Sequence, residues 1–377
     1  MMSRPTNPIR EIRLSVVQVP IATPVSDAKV ATGRQKALAQ CTLLVAEVLA
    51  ADGSTGIGFS YALRTGGRAL YAHAQEVVEL LIGREADDIE LLFDEAVWAG
   101  ASVGRSGVTV QAIAAIDTAL WDLRARRLNV PLSRLIGQRA SSVPVYNTSR
   151  GYLNATIEEM LEGADASLAS GIGGIKIKVG QPDWREDLRR VEAVRQHIGD
   201  VPLTVDANQQ WSRTRAAQMA SALEQYDLTW IEEPLDAYDT EGYTALTAST
   251  RTPISTGEML SSVHEHRALL RAQACDVLQP DAPRVGGITP FIRILHLADD
   301  AGIDLAPHFV MEIHVHLAAC FSGNVWVEHF DWLEPVFEER LERADGCLLV
   351  PERPGLGFTI SEQARAWTTD TVTVRAS

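Results

Sequence analysis

The chain has 377 residues, with 34 Lys and Arg against 49 Asp and Glu, for a net charge of −15. At roughly 100–200 residues per domain this length predicts two domains, or one α/β barrel with additions. A composition that is 46% hydrophobic and 22% charged excludes wholesale disorder, and the acidic balance argues against a sequence-independent grip on nucleic acid or an anionic membrane. An anionic small substrate stays open, because a metal or a few local cations can invert the field of one pocket.

No apolar run reaches the ~18 residues of a spanning helix. Ile12, Leu14 and Val16 alternate with Arg13 and Ser15, which reads as a strand over 12–19 and not as a signal peptide. Two prolines then predict a loop over 20–27. A second strand is expected at 41–49, closed by the turn Ala51-Asp-Gly-Ser as in a hairpin. Gly56, Gly58, Gly66 and Gly67 bracket 59–65 as a mobile loop, and helical spacing follows at 72–82 and 111–127. Cys41, Cys275, Cys320 and Cys347 form no CxxC pair. A disulfide framework or thiolate metal site is not expected, and a reducing cytoplasm is the default compartment.

From about residue 143 short apolar strands alternate with helical stretches such as 184–197 and 216–226, which predicts a parallel sheet closed as a (β/α) barrel. An ionisable residue stands near the end of each strand from the second onward. Lys176 and Lys178 lie in Gly173-Gly-Ile-Lys-Ile-Lys-Val-Gly, and Asp206, Glu232, Glu258, Asp281, His308 and Glu328 follow at steps of 20–28 residues. A lone charge at a strand end is commonly a helix cap or a solvated turn residue. A series of them converges on one barrel mouth, where active sites are built.

Asp206, Glu232 and Glu258 would repel one another in a single pocket unless a cation sat among them, and all-oxygen ligation suits Mg²⁺ first and Mn²⁺ second. Lys176 and Lys178 are two apart in a strand and face the same way. Their mutual repulsion, with a metal nearby, is expected to lower a lysine pKa and free a neutral base. Asp281 can hold the tautomer of His308, which becomes a second acid/base across the metal. The combination describes a proton-abstraction site. His264-Glu-His266 and His314-Val-His316 are not HExxH and read as surface or core histidines. Asp117 and Asp122 flank Trp121 on a domain-interface helix, where they would cap or pair locally. No dinucleotide fingerprint, phosphate loop or GxSxG elbow occurs.

The Lys176-x-Lys178 pair, the Asp206, Glu232 and Glu258 set and the Asp281/His308 dyad together resemble the enolase superfamily, in its mandelate racemase subgroup. The muconate-cycloisomerase subgroup has a lysine where this chain has Asp281. The resemblance implies an α+β N-terminal capping domain (1–140, with specificity loops near 20–36 and 56–68), a modified TIM barrel (141–345) and a C-terminal segment (346–377) returning to the cap. It also implies one Mg²⁺ per subunit, Glu328 as a hydrogen-bond or electrostatic partner of the substrate carboxylate, and a homo-oligomer.

Ala22-Thr-Pro-Val-Ser-Asp-Ala-Lys-Val, Trp98-Ala-Gly-Ala-Ser-Val-Gly-Arg-Ser-Gly, Val205-Asp-Ala-Asn-Gln-Gln-Trp and Ile231-Glu-Glu-Pro-Leu-Asp-Ala-Tyr-Asp resemble the L-talarate/galactarate dehydratases. That likeness implies a small sugar diacid dehydrated to a 2-keto-3-deoxy acid, with Lys178 and His308 dividing the acid and base roles. Lys176 would stabilise developing enediolate charge beside the metal. The chain departs from that pattern at Leu63 and at Arg150, where a basic residue and a glycine are expected. Arg34, Lys36, Arg64 and Arg150 are the cations available for a distal carboxylate, and Tyr61 and Asn208 are further substrate-binding candidates. The alternatives are a racemase or epimerase, a dehydratase of another sugar acid, and a non-catalytic sugar-acid binding protein.

Overall fold

The computed structural model describes residues 7–148 and 150–376; the first residues of the expected 1–140 unit, Ser149 and Ser377 lie outside that description. β1 (Ile9–Val25), β2 (Leu38–Ala50) and β3 (Thr55–Leu63) form an antiparallel meander. β1 runs through the expected proline loop. Past Gln18, whose N–H donates to the Trp367 carbonyl at 3.0 Å, it pairs among the described residues only with β2, Pro20 standing opposite Gln40, so the missing N–H breaks no ladder on the outer edge.

β3 likewise continues to Leu63 where a mobile loop was expected. Its glycines serve close packing. A Cβ at Gly56 would lie 2.2 Å from the Ala119 carbonyl oxygen, and one at Gly58 2.2 Å from that of Ala115. The helix Val108–Arg127 therefore rests directly on the strand. It is buried along most of its length, joining the meander to the barrel and packing with the helices Gly67–Leu81 and Ile89–Ala99.

The barrel strands are β4 (Ser142–Asn147), β5 (Gly174–Lys178), β6 (Leu203–Asp206), β7 (Trp230–Glu232), β8 (Ile254–Thr256), β9 (Val277–Leu278), β10 (Asp304–Leu305) and β11 (Val327–His329). From β4 to β10 each pairs in parallel with the next, and β11 returns to β4. The Leu305–Val325 bridge closes the ring. Several of the intervening helices start on side-chain caps. Thr156 and Glu159 form a reciprocal capping box before Ile157–Ala169, and Asp183 and Ser212 cap Trp184–Ile198 and Arg213–Leu223.

β12 (Arg343–Ala344) and β13 (Cys347–Leu349) form a hairpin that adds to β4. β14 (Thr368–Arg375) then pairs antiparallel with β1 and completes the capping sheet in the order β14-β1-β2-β3. Two buried carboxylates on the long helix fasten the parts together. Asp122 accepts from Ile57 N at 2.8 Å, Arg126 Nε at 2.6 Å and Leu356 N at 2.6 Å. Asp117 accepts from Thr289 N at 3.0 Å, at the start of the barrel helix Ile288–Ala301. Among the described residues no helix is long and apolar enough to cross a membrane.

Candidate active site

At the strand ends, Lys178, Asp206 and Glu232 are register neighbours on β5, β6 and β7, so the parallel pairing alone sets them side by side. Glu258 follows β8, Asp281 follows β9 and His308 follows β10, while Glu328 lies within β11. All of these carboxylates and both lysines are buried. Lys178 is ion-paired to Asp206 Oδ2 and Lys176 to Glu328, and Lys176 Nζ also lies 2.9 Å from Glu232 Oε1 and 3.8 Å from Asp206 Oδ2. Glu328 Oε2 accepts from Phe309 N at 3.1 Å. Glu232 Oε2 accepts from Gln279 Nε2 at 2.9 Å.

The expected fall in lysine pKa supposes a cation among the carboxylates; with the lysines as their partners the direction is upward. Burial pushes both ammonium groups down, but the surrounding carboxylates, Asp206 above all at Lys178 and Glu232 and Glu328 at Lys176, carry them above the usual lysine range. The lysines face more negative charge than they present to each other. Burial, with Asp206 and Glu328 close by, lifts Glu232 to about 8 against the pull of Lys176. Asp206 moves the other way, since the two lysines hold it well below the carboxylate range despite its burial.

On the far side Asp281 Oδ2 meets His308 Nδ1 at 2.9 Å, which leaves His308 Nε2 directed toward Glu258 Oε2, 3.6 Å away. Arg284 was not anticipated from the sequence. It stands three residues past Asp281, which caps the short helix Ala282–Val285, and that turn folds its side chain back into the mouth. There its Nη1 donates to the Glu258 carbonyl at 2.6 Å and lies 3.4 Å from Glu258 Oε1. The cue is the Asp-Ala-Pro-Arg start of a helix right after a strand end. Glu233, also unanticipated, is buried, accepts from Gln209 Nε2 at 2.9 Å and faces Lys29 at 4.0 Å.

Lys176, Lys178, Glu258, Arg284, His308 and Glu328 line a cavity of about 340 Å³ roofed by the capping domain, a size suited to a small ligand. Tyr61, Arg64 and Asn208 reach it, as does Lys29. Arg64 is anchored by Nε donation to the Lys36 carbonyl at 2.8 Å and by Asp27 Oδ2 at 3.4 Å. Arg34 and Lys36 lie on an exposed turn outside its lining. Arg150, in a left-handed conformation (φ 53°), turns outward to Glu162 at 2.9 Å. It borders an adjoining cavity of about 620 Å³ that shares Val25, Tyr152, Phe330 and Trp332 with the first.

The donor chemistry fits a hard divalent cation. Asp206, Glu232, Glu233, Glu258, Asp281 and Glu328 crowd around Lys176, Lys178 and Arg284, an excess of desolvated negative charge. Asn208 Oδ1 is buried with no hydrogen-bond partner among the described residues. Among those residues no three His, Cys, Asp or Glu side chains are drawn into a ready cage, because the lysine ammonium groups lie between the carboxylates. The paired histidines are structural. His314 Nε2 accepts from Ala282 N at 3.0 Å, His316 Nε2 meets the Leu356 carbonyl at 3.0 Å, and burial pushes both down to about 4.

Residues 10–137 match the mandelate racemase / muconate lactonizing enzyme N-terminal domain, and residues 159–364 match the enolase C-terminal domain-like family. The chain belongs to the enolase superfamily. Within it, the L-talarate/galactarate dehydratase of Salmonella typhimurium is 53% identical over 96% of this chain and 91% of its own length. A crystal structure of that dehydratase, liganded with Mg and L-lyxarohydroxamate, superposes with a TM-score of 0.98 at 51% identity, covering 100% of this chain and 96% of the other. The L-talarate dehydratase from Polaromonas sp. JS666, complexed with Mg and L-glucarate, superposes with a TM-score of 0.96 at 54% identity, over 99% of this chain and 100% of that one. These superfamily members place the chain in the mandelate racemase subgroup.

Proposed function

We propose that the chain is a Mg²⁺-dependent aldarate dehydratase acting on galactarate and L-talarate. The observation that carries the reading is that one cavity holds two acid/base groups, Lys178 on β5 and His308 after β10, on either side of the carboxylates of β6, β7 and β8. The kinship to dehydratases of these two sugar acids supports it.

Asp206, Glu232 and Glu258 would hold the ion, with Asn208 beside them. When bound it would supply Lewis acidity to a substrate carboxylate and answer the negative charge now met by the lysines. The chain's own residues do the rest. Asp281 fixes His308 with its Nδ1–H inward, so Nε2 faces the cavity as one proton acceptor. Lys178 would lose its counterion once Asp206 served the ion, and in its neutral form it is the acceptor on the other side. Whichever group takes the α-proton, the electron pair left behind expels the β-hydroxyl, which departs as water on receiving a proton from a conjugate acid in the site. The enol so formed tautomerises to the 2-keto-3-deoxy acid. Lys176, tethered by Glu328 and Glu232, stays charged and stabilises the enediolate oxygens. Lys29, facing Glu233, and Arg64, anchored by Asp27, both line the cavity and are the cations there for a distal carboxylate.

Incubation with Mg²⁺ and a panel of hexarates and hexonates, with keto-acid formation read alongside α-proton exchange in D₂O, tests this. Keto acid from galactarate or L-talarate is the expected result. Exchange without keto acid would make the protein an epimerase, and neither signal across the panel would sink the aldarate assignment.

A further inference from the structure

Tyr61 has the sequence position of a substrate ligand, yet its hydroxyl is already committed. It donates to Asp281 Oδ2 at 2.5 Å and stands 3.5 Å from His308 Nδ1. The ring is 1% exposed and meets Phe309 edge-on, with centroids 4.8 Å apart at 86°. The Arg284 guanidinium lies over its other side at 5.7 Å. Its carbonyl accepts from Gln111 Nε2 at 2.7 Å, and its backbone is paired with Leu43 in the capping sheet. A side chain held this way cannot turn to follow a ligand. Burial also keeps the phenol far above its ordinary range, so it acts as a neutral donor.

We propose that Tyr61 is a positioning residue of the acid/base dyad: the capping strand, through its hydroxyl, locks the Asp281 oxygen that orients His308. Three donors converge on that carboxylate, with Tyr61 and His308 sharing Oδ2 and Arg284 N taking Oδ1 at 2.9 Å. Removing the phenolic hydroxyl leaves Asp281 with two donors and the fold without a buried orphan, because the group lost is itself the donor. It does free the carboxylate to rotate, and the imbalance is passed to the imidazole. Lys176 and Lys178 pair with Asp206, Glu232 and Glu328, none of which Tyr61 touches. The effect should therefore fall on one face of the site alone.

The inference rests on His308 being a proton-transfer group, and the test separates the two. Tyr61→Phe and His308→Asn would be compared with the unaltered Mg²⁺-loaded enzyme on substrates of opposite α-carbon configuration, measuring kcat, KM and α-proton exchange. His308→Asn identifies the series that depends on His308. In that series Tyr61→Phe should lower kcat and exchange roughly ten- to a hundredfold, the usual loss when the partner orienting a histidine is removed, with KM and the other series unchanged. Equal losses in both series, or none, overturn the proposal. If His308→Asn changes neither series, the reading beneath it fails as well. A second readout needs no turnover: in protein with isotope-labelled histidine, the His308 Nδ1–H resonance should move in Tyr61→Phe, and an unmoved resonance overturns the proposal.

Discussion

Replacing Asp122 by alanine removes the clasp that joins the long helix to β3 and to the C-terminal segment. Two backbone donors, the half-buried Ile57 N and the buried Leu356 N, lose their acceptor, at about 1–3 kcal/mol each. Arg126 loses its Nε partner but keeps the Phe358 carbonyl at 2.6 Å, and its side chain is 30% exposed, so water can replace what is lost. Against this, burial holds the Asp122 carboxyl above its ordinary pKa despite Arg126, and truncation relieves that desolvation. The net expectation is a loss of about 3 kcal/mol, a large part of an ordinary stability. Urea unfolding gives the energy, and amide exchange at Ile57 and Leu356 gives its location. A loss under about 1 kcal/mol, or unchanged exchange at both amides, would refute the reasoning.

The other clasp carries a pH signature. Burial raises Asp117 from 3.8 to about 7, so between those values the folded chain keeps a proton that the unfolded chain has released. The contribution to stability is complete below about pH 4 and gone above about pH 7, on the order of 4 kcal/mol across the window. Asp117→Asn should flatten that part of the stability profile, between about pH 4 and about pH 7, and an unchanged slope would contradict it. At Gly58 a methyl would meet the Ala115 carbonyl at 2.2 Å and Ala119 N at 2.4 Å, both main-chain atoms that cannot swing away. Gly58→Ala should cost about 1–3 kcal/mol, seen as a lower thermal midpoint; an unmoved midpoint would mean that strand and helix part easily.

The barrel and its charged rim were legible because both depend on short-range order. A few apolar residues followed by one charge, repeated, needs no tertiary knowledge to read, and Asp206, Glu232, Glu258, Asp281 and His308 all stand where that rhythm puts them. What escaped was set by contacts across the chain. A glycine-rich strand and a glycine-rich loop look alike locally, and only the helix about sixty residues later shows that Gly56 and Gly58 make room for it. The lysines' surroundings were hidden for a similar reason, since the two-residue spacing displays their mutual repulsion and not the carboxylates arriving from β6, β7 and β11. Among the cations, Arg64 and Arg150 differ little in sequence context, yet one is anchored over the cavity by Asp27 and the other is turned out to Glu162.

The capping sheet takes one of its four strands from beyond the barrel, and this sets a timetable on the ribosome. β3 ends at Leu63 and β14 begins at Thr368, an interval that translation at ~5–20 residues per second covers in roughly 15–60 s. Throughout that wait the Glu11–Val17 edge of β1, with Ile12, Leu14 and Val16 along it, has no partner strand. An unpaired apolar edge invites pairing with other chains. Nascent copies on one polysome are therefore exposed to one another at that edge, until the distant β14 emerges to close it.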